Sequence, residues 1–99
     1  EITFADARNA AGNLSLKLKG WLDRGFFVRA ARQLEAALRN TRTRVTLHVD
    51  RLHERHGRHW RRLLRRLARY GDRVDIVLSD AMRGRVVVDS SVFTLRFDG

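Results

Sequence analysis

The stretch RHWRRLLRRLAR, residues 58–69, decides the architecture of this chain, because its apolar and basic residues fall on opposite sides of a helix. The apolar positions are spaced i, i+3, i+4, i+7, which is typical of a helix with one buried side. They are Trp60, Leu63, Leu64, Leu67 and Ala68. The opposite side consists of Arg58, Arg61, Arg62, Arg65, Arg66 and Arg69. The pattern predicts a helix that packs on a core and ends at Gly71.

Segments with strand character surround this helix. Alternating apolar and polar residues predict strands over 14–19, 44–50, 74–79 and 93–98, and residues 2–7 are a further candidate. A hairpin turn is expected over 9–13 and a loop over 20–23, where Asp23 can cap a helix that runs to about Asn40. Residues 79–91 combine strand propensity with the length of a crossover, and we expect a short helix rather than a strand there.

The alternation also indicates how the sheet is covered. A parallel sheet with helices on both faces needs nearly continuous apolar strands, whereas every second strand residue here is polar. We therefore expect an α/β fold with a sheet of four to five strands and helices mainly on one face. Phe93 and Phe97 are expected on the apolar side of that sheet.

Length and composition exclude several classes of protein. The chain has 99 residues, enough for a single domain with one hydrophobic core. It has no cysteine, which rules out disulfides, zinc ribbons and thiol catalysis. Because its apolar runs are short, we expect neither a membrane span nor a signal peptide, and we expect a cytosolic protein. The start at Glu1 is compatible with a domain cut from a longer protein.

The order of these segments resembles the STAS domain, the family of bacterial anti-sigma-factor antagonists, of the cytosolic tails of sulfate-type transporters and of a phospholipid transport component. The resemblance covers residues 2–97 and is carried by Ile2-x-Phe4 and by Gly20-x-Leu22-Asp23 after an alternating strand. It implies a mixed sheet with helices mainly on one side. It also implies a non-catalytic domain that binds another protein through the second helix and the loop before it.

The loop before the second helix departs from the family pattern. In the antagonists this loop carries Asp-Ser-Ser/Thr-Gly, and a kinase phosphorylates a hydroxyl there. The matching residues here are Glu54-Arg55-His56-Gly57, which retain the glycine but offer no hydroxyl. A serine phosphoswitch is therefore not expected at this loop. The similar string 89–91, Asp-Ser-Ser, lies near the last strand and is taken as a coincidence.

Positive charge is concentrated around the second helix. Residues 51–73 contain nine arginines against Glu54 and Asp72, within a net charge of +10 for the chain. Such a stripe suits an acidic protein surface, and nucleic acid is the alternative partner. An anionic membrane surface is disfavoured as a partner because the core needs the apolar side of the helix. The remaining alternative is a helix face that is solvated and has no binding role. The predicted partner-binding residues are His53, Glu54, Arg55, His56, Arg58, Arg61, Arg62, Arg65, Arg66 and Arg69.

Motifs that would indicate catalysis are missing from the sequence. It has no glycine-rich phosphate loop and no nucleophile elbow, so we expect neither an enzyme nor a bound cofactor. The spacing His53-x-x-His56-x-x-His59 raises the alternative of a metal site. On a helix, residues three positions apart are rotated by about 60° from one another, so two of these imidazoles could converge while the third would not. We therefore expect a polar loop and first helical turn without a metal.

Overall fold

The computed structural model describes residues 2–4, 13–40 and 42–98. Its strands pair in the order β1-β2-β3-β4-β5, with β1 antiparallel to β2 and all later pairs parallel. The α/β class and the mixed sheet are therefore confirmed. Residues 5–7 of the first predicted strand, and residues 9–12 of the predicted turn, lie outside the described residues. The strands are β1 (Ile2–Phe4), β2 (Leu14–Trp21), β3 (Val45–His53), β4 (Val74–Ser79) and β5 (Thr94–Asp98).

Two α-helices, α1 (Arg24–Leu38) and α2 (Arg58–Leu67), connect the parallel strands. The first joins β2 to β3 and the second joins β3 to β4, so both connections step across the sheet in the same direction. Because such crossovers are right-handed, both helices lie on one face of the sheet. Burial agrees, since Leu47 and Ile76 on that face are fully buried while His48 on the other face is partly exposed. The prediction of helices mainly on one face is confirmed.

The core lies between the covered face of the sheet and the inner sides of the two helices. On α2 the predicted apolar side is buried at Trp60, Leu63, Leu64 and Leu67. Ala68 was predicted on this side, but it is exposed. The physical reason is that α2 ends at Leu67 and a 3-10 segment follows, which changes the rotation from one residue to the next.

Both ends of α1 are held by side chains. Asp23 is the N-cap, as predicted, and its Oδ1 accepts a hydrogen bond from the backbone N–H of Phe26 at 2.8 Å. At the other end the guanidinium of Arg73 donates to the carbonyl oxygen of Leu38, which the helix terminus leaves unpaired, and to two carbonyl oxygens of the loop after the helix. Its three acceptors, at 2.8–2.9 Å, are the carbonyl oxygens of Leu38, Asn40 and Thr43.

Strands β2 and β3 continue beyond the end of the predicted alternation. The alternation is interrupted by a β-bulge, and strand pairing continues after it. The register between them shifts just before Gly20, and Arg51 on β3 adopts a left-handed φ of 51°. The extra residue shifts the alternation by one position, so that Leu52 remains in the core. The loop predicted at this point is wrong for Gly20 and Trp21, which continue β2 opposite Leu52 and His53.

Gly71 does not end α2 as predicted. The chain passes from α2 into a 3-10 segment, Ala68–Arg73, and Gly71 lies inside that segment without a positive φ. It is required for space: a Cβ atom there would overlap the backbone oxygen of Val92 and lie 2.8 Å from the Val92 Cγ1. The glycine therefore lets the segment before β5 pack closely on the end of the helical region.

The short helix predicted over 79–91 is reduced to one 3-10 turn at Asp80–Met82. Met82 is buried, and a left-handed Gly84 with φ 79° then turns the chain away from helical geometry. Phe97 pairs in register with buried Leu78, as its predicted side requires, yet its side chain is 48% exposed. The reason is its place on an edge strand, where the guanidinium of Arg83 stacks on the ring, 4.5 Å from its centroid.

Candidate protein-interaction site

The predicted loop residues, 53–57, lie at the carboxyl edge of the parallel strands, and the predicted arginines follow α2 away from that edge. The loop of residues 54–57 follows β3 and leads directly into α2. Because strand pairing continues after the bulge, Trp21 and His53 stand side by side at the strand ends, with their ring centroids 5.5 Å apart. Ligands of open α/β sheets bind at this edge, so the fold itself places the loop where a partner can reach it.

Glu54 caps the N-terminus of α2. The N-cap residue Gly57 has no side chain to offer, and Glu54 accepts hydrogen bonds from the backbone N–H groups of His59 and, at 3.0 Å, of Trp60. The carboxylate thereby satisfies two donors that a helix N-terminus leaves unpaired, and it lies at the positive end of the helix dipole. The loop is held against the helix, and the chain's own anion occupies the helix terminus.

Two arginines of α2 are engaged with α1. The Nε and Nη2 atoms of Arg66 donate to the two carboxylate oxygens of Glu35 at 2.7 and 3.1 Å. The guanidinium groups of Arg62 and Arg66 also lie over the ring of Phe27, 5.2 and 5.9 Å from its centroid. These two side chains therefore join the helices as well as facing solvent.

The other arginines of α2, together with Arg69 of the 3-10 segment, face outward. Arg61 donates to the carbonyl oxygen of His56 at 3.4 Å, which ties it to the loop. The remaining three are exposed, and within residues 13–40 and 42–98 none of them forms an ion pair. Arg58 and Arg65 are seven residues apart on α2, about 10 Å along its axis. This outer row is defined by Arg58, Arg65 and Arg69.

A groove of about 670 Å³ lies beside the loop. Trp21 and His53 form one wall, and Arg85 and Val87 form the other. Trp60 also lines the groove, and its indole Nε1 donates to the carbonyl oxygen of Val87 at 3.0 Å, which holds the segment of Arg85 and Val87 against α2. Trp21 is 69% exposed and Val87 is 81% exposed, so the rim of the groove is apolar and accessible.

Sequence reasoning missed Trp21, Arg85 and Val87 as candidate site residues. Trp21 fell in a predicted loop, and the other two fell in a segment predicted to be a helix. The signal available was a bulky aromatic residue in a segment with no predicted place in the core. His53, Arg55 and His56, which were predicted, do line the groove.

The three histidines have different surroundings. His53 lies against Trp21, whereas the ring of His59 lies 5.7 Å from the ring of Phe27. In the part of the chain that the structure describes, no group of three or more His, Asp or Glu side chains is arranged to hold a metal ion.

The string Asp-Ser-Ser at 89–91 forms a turn before β5. The hydroxyl and the backbone N–H of Ser91 donate to Asp89 Oδ1 at 2.5 and 2.9 Å. These hydrogen bonds, the hydroxyl first, hold the pKa of the Asp89 carboxyl below its ordinary value. The carboxylate and the hydroxyl of this string are thus hydrogen-bonded to each other within the turn.

Comparison of the chain with protein-family models, with curated proteins and with solved structures gives no match. Among the helices of the described residues, none has the length and apolar character needed to cross a membrane.

Proposed function

We propose that this chain is a non-catalytic, regulatory protein-interaction domain of the STAS type, which binds an acidic surface of a cytosolic partner through α2 and the loop before it. The observation that carries the proposal is the outer row, Arg58, Arg65 and Arg69, which projects from a packed helix without an intramolecular carboxylate among the described residues. Planar guanidinium groups pair with carboxylates through two hydrogen bonds, so a row of exposed ones suits an acidic surface.

The STAS part of the proposal is supported by the order of the elements. An antiparallel first strand, four parallel strands and two helices on one face agree with the fold that the resemblance implies. The loop keeps Gly57 and places an acidic residue, Glu54, where the family has aspartate. Because Arg55 and His56 replace the hydroxyl residues, the proposal is a partner domain without the serine phosphoswitch.

The test is a charge reversal confined to the outer row. The residues changed to glutamate are Arg58, Arg65 and Arg69. Arg62 and Arg66 are left in place, because Arg66→Glu would set two carboxylates against each other at Glu35 and damage the fold. Wild-type protein immobilised as bait is used to capture partners from cell extract, and the captured proteins are quantified by mass spectrometry. We expect the triple variant to lose a captured acidic protein while its circular dichroism stays unchanged.

A matched control makes the same change of charge elsewhere. Three exposed arginines outside α2 are changed to glutamate instead, namely Arg29, Arg32 and Arg42. If capture depends on the outer row, this control retains the partner. Equal loss in both variants would reduce the effect to overall charge and contradict the proposal.

Nucleic acid is the second candidate partner, and the same outer row favours it. Three outward arginines that form no ion pair within the described residues could neutralise several phosphates, which makes binding steeply dependent on salt. Titration with duplex and with single-stranded oligonucleotides at two salt concentrations tests this candidate. Micromolar binding that weakens steeply with salt and is lost in the outer-row variant would favour nucleic acid, and absence of binding at low salt would exclude it.

A further inference from the structure

The groove beside the loop has two apolar residues, one on each side, that no described part of the chain covers. Trp21 and Val87 are the two most exposed of the large hydrophobic residues described, at 69% and 81%. They come from distant parts of the sequence and face one groove. Large aromatic residues in such positions are the ones that contribute most to binding when a partner excludes water from them.

The walls are held in position before any partner arrives. On one side strand pairing continues after the bulge at Arg51 and aligns His53 with Trp21 at the strand ends. A left-handed φ is costly for a residue with a side chain, and such conformations cluster at functional sites. On the other side the hydrogen bond from Trp60 to Val87 holds the segment against α2. A preformed groove loses little entropy on binding.

The charges that remain available around the groove are positive. Arg55, Arg61 and Arg85 line it. The two carboxylates nearby are already engaged with backbone N–H groups, Asp23 with that of Phe26 and Glu54 with those of α2. An anionic occupant would therefore meet guanidinium groups rather than competing carboxylates, which is the charge complementarity that selects a partner.

We propose that this groove docks an acidic segment of the partner protein, which inserts a large apolar side chain between Trp21 and Val87 and pairs its carboxylates with Arg55, Arg61 and Arg85. This inference rests on the proposed function and refines it by naming the chemistry of the partner segment. The apolar side chain supplies the buried surface, and the flanking carboxylates supply orientation and rate of association. The N-terminus of α2 contributes no anion site, because Glu54 already occupies it.

The experiment uses a defined peptide as the probe. Acetyl-EDELFEDE-amide is titrated into the whole 99-residue chain by calorimetry, together with a peptide whose central Leu-Phe is replaced by Ala-Ala. We expect the first peptide to bind and the second to bind about tenfold or more weakly, because the anchor is missing. Tryptophan emission of the protein should shift to shorter wavelength as Trp21 loses contact with water.

Two groove variants and one matched control locate the binding. Val87→Asp places a negative charge at an exposed position of the groove, where it repels the carboxylates of the peptide. Trp21→Ala removes the large aromatic side chain from the groove. We expect each to weaken binding of the peptide about 30-fold. Val28→Asp makes the same chemical change on α1, at a residue 40% exposed outside the groove, and should leave binding unchanged.

Several results would overturn the inference. They are failure of the wild-type chain to bind the first peptide, equal binding by wild type and Val87→Asp, or tighter, Val87-dependent binding of a single-stranded oligonucleotide. Failure of the broader proposal is distinguishable from these. If partner capture is lost in the outer-row variant but kept in Val87→Asp and Trp21→Ala, the interaction domain stands and the groove is excluded. If the groove variants weaken binding of the peptide but the outer-row variant still captures the partner, the groove proposal stands and the role proposed for the outer row is wrong.

Discussion

Replacing Glu54 with alanine tests how the loop and α2 are held together. The substitution removes the acceptor for the backbone N–H groups of His59 and Trp60, while Gly57 offers no side chain in its place. Two donors at the start of the helix then depend on water. The loop that precedes the outer row also loses its attachment to the helix, so we expect a loss of stability together with greater mobility of residues 54–57.

The magnitude follows from the contacts that are lost. Deletion of one N-cap acceptor costs about 1 kcal/mol, and Glu54 serves two N–H groups. Its negative charge at the helix terminus adds about 0.5 kcal/mol. Because Glu54 is only partly buried, water restores some of this, and we expect a loss of about 2 kcal/mol in the free energy of unfolding. For a chain of 99 residues this lowers Tm by about 10 °C.

Thermal and urea unfolding followed by circular dichroism measure this loss. Glu35→Ala is the control, since it removes a glutamate whose ion pair with Arg66 is partly exposed and should cost less than about 1 kcal/mol. Sulfate in place of chloride at equal ionic strength adds a second test. The vacated N–H groups in Glu54→Ala can bind the anion, so sulfate should raise its Tm more than that of wild type. A fall in Tm under about 2 °C, or an equal gain in sulfate, would refute the capping role.

Three further predictions concern the scaffold. Gly71→Ala should lower the free energy of unfolding by about 2 kcal/mol or more in urea titrations, because its Cβ would overlap the backbone of Val92. Arg73→Lys should cost about 1–2 kcal/mol by the same measurement, because an ammonium group cannot reach the three carbonyl oxygens that the planar guanidinium serves. Ser91→Ala should raise the pKa of Asp89 toward its ordinary value in a carboxyl NMR titration. Because the pKa of Asp89 is lowered in the folded state, its carboxylate stabilises the fold at pH values above its unfolded pKa. This stabilisation is lost as the pH falls through the folded-state pKa.

Each of these has a control that changes the same residue type elsewhere. In Gly25→Ala the new Cβ meets only the flexible end of Arg29 at 3.3 Å and an ordinary contact with Asp23, so the helix should gain stability, by up to about 1 kcal/mol. Arg69→Lys, at an exposed outward arginine, should be neutral. Ser90→Ala should leave the titration of the neighbouring carboxyl unmoved. Equal effects in a variant and its control would contradict the contact assigned to that variant.

Much of the fold could be predicted because helices cover only one face of the sheet, so that apolar residues recur at regular intervals along each strand and helix. The alternation in β2, β3 and β4 and the helical spacing in α2 reflect a core on a single side of the sheet. The bulge could not be predicted, since it arises from the register between two strands and appears in the sequence only as Leu52 falling three residues after Val49. The segment after β4 was also missed, because contacts with distant residues, such as the Trp60–Val87 hydrogen bond, decide its path.

The candidate site divides in the same way. The spacing of residues in α2 predicts that its arginines are exposed. It does not predict which of them are available to a partner, because Glu35 pairs with Arg66 from 31 positions away along the chain. The sequence marks Trp21 as an unplaced aromatic residue but not the groove itself, since Trp21 and Val87 line one groove only when β2 and the segment before β5 are both in place.

Formal charge therefore differs from the charge that a partner meets. Asp23 and Glu54 are close to the groove in space, but each accepts hydrogen bonds from a helix N-terminus. Glu35 is likewise engaged with Arg66. The nearby acids thus stabilise the scaffold, whereas the outer-row arginines remain exposed to a partner. An acidic segment would gain most where available cations adjoin exposed apolar surface, and beside Trp21 those cations are Arg55, Arg61 and Arg85.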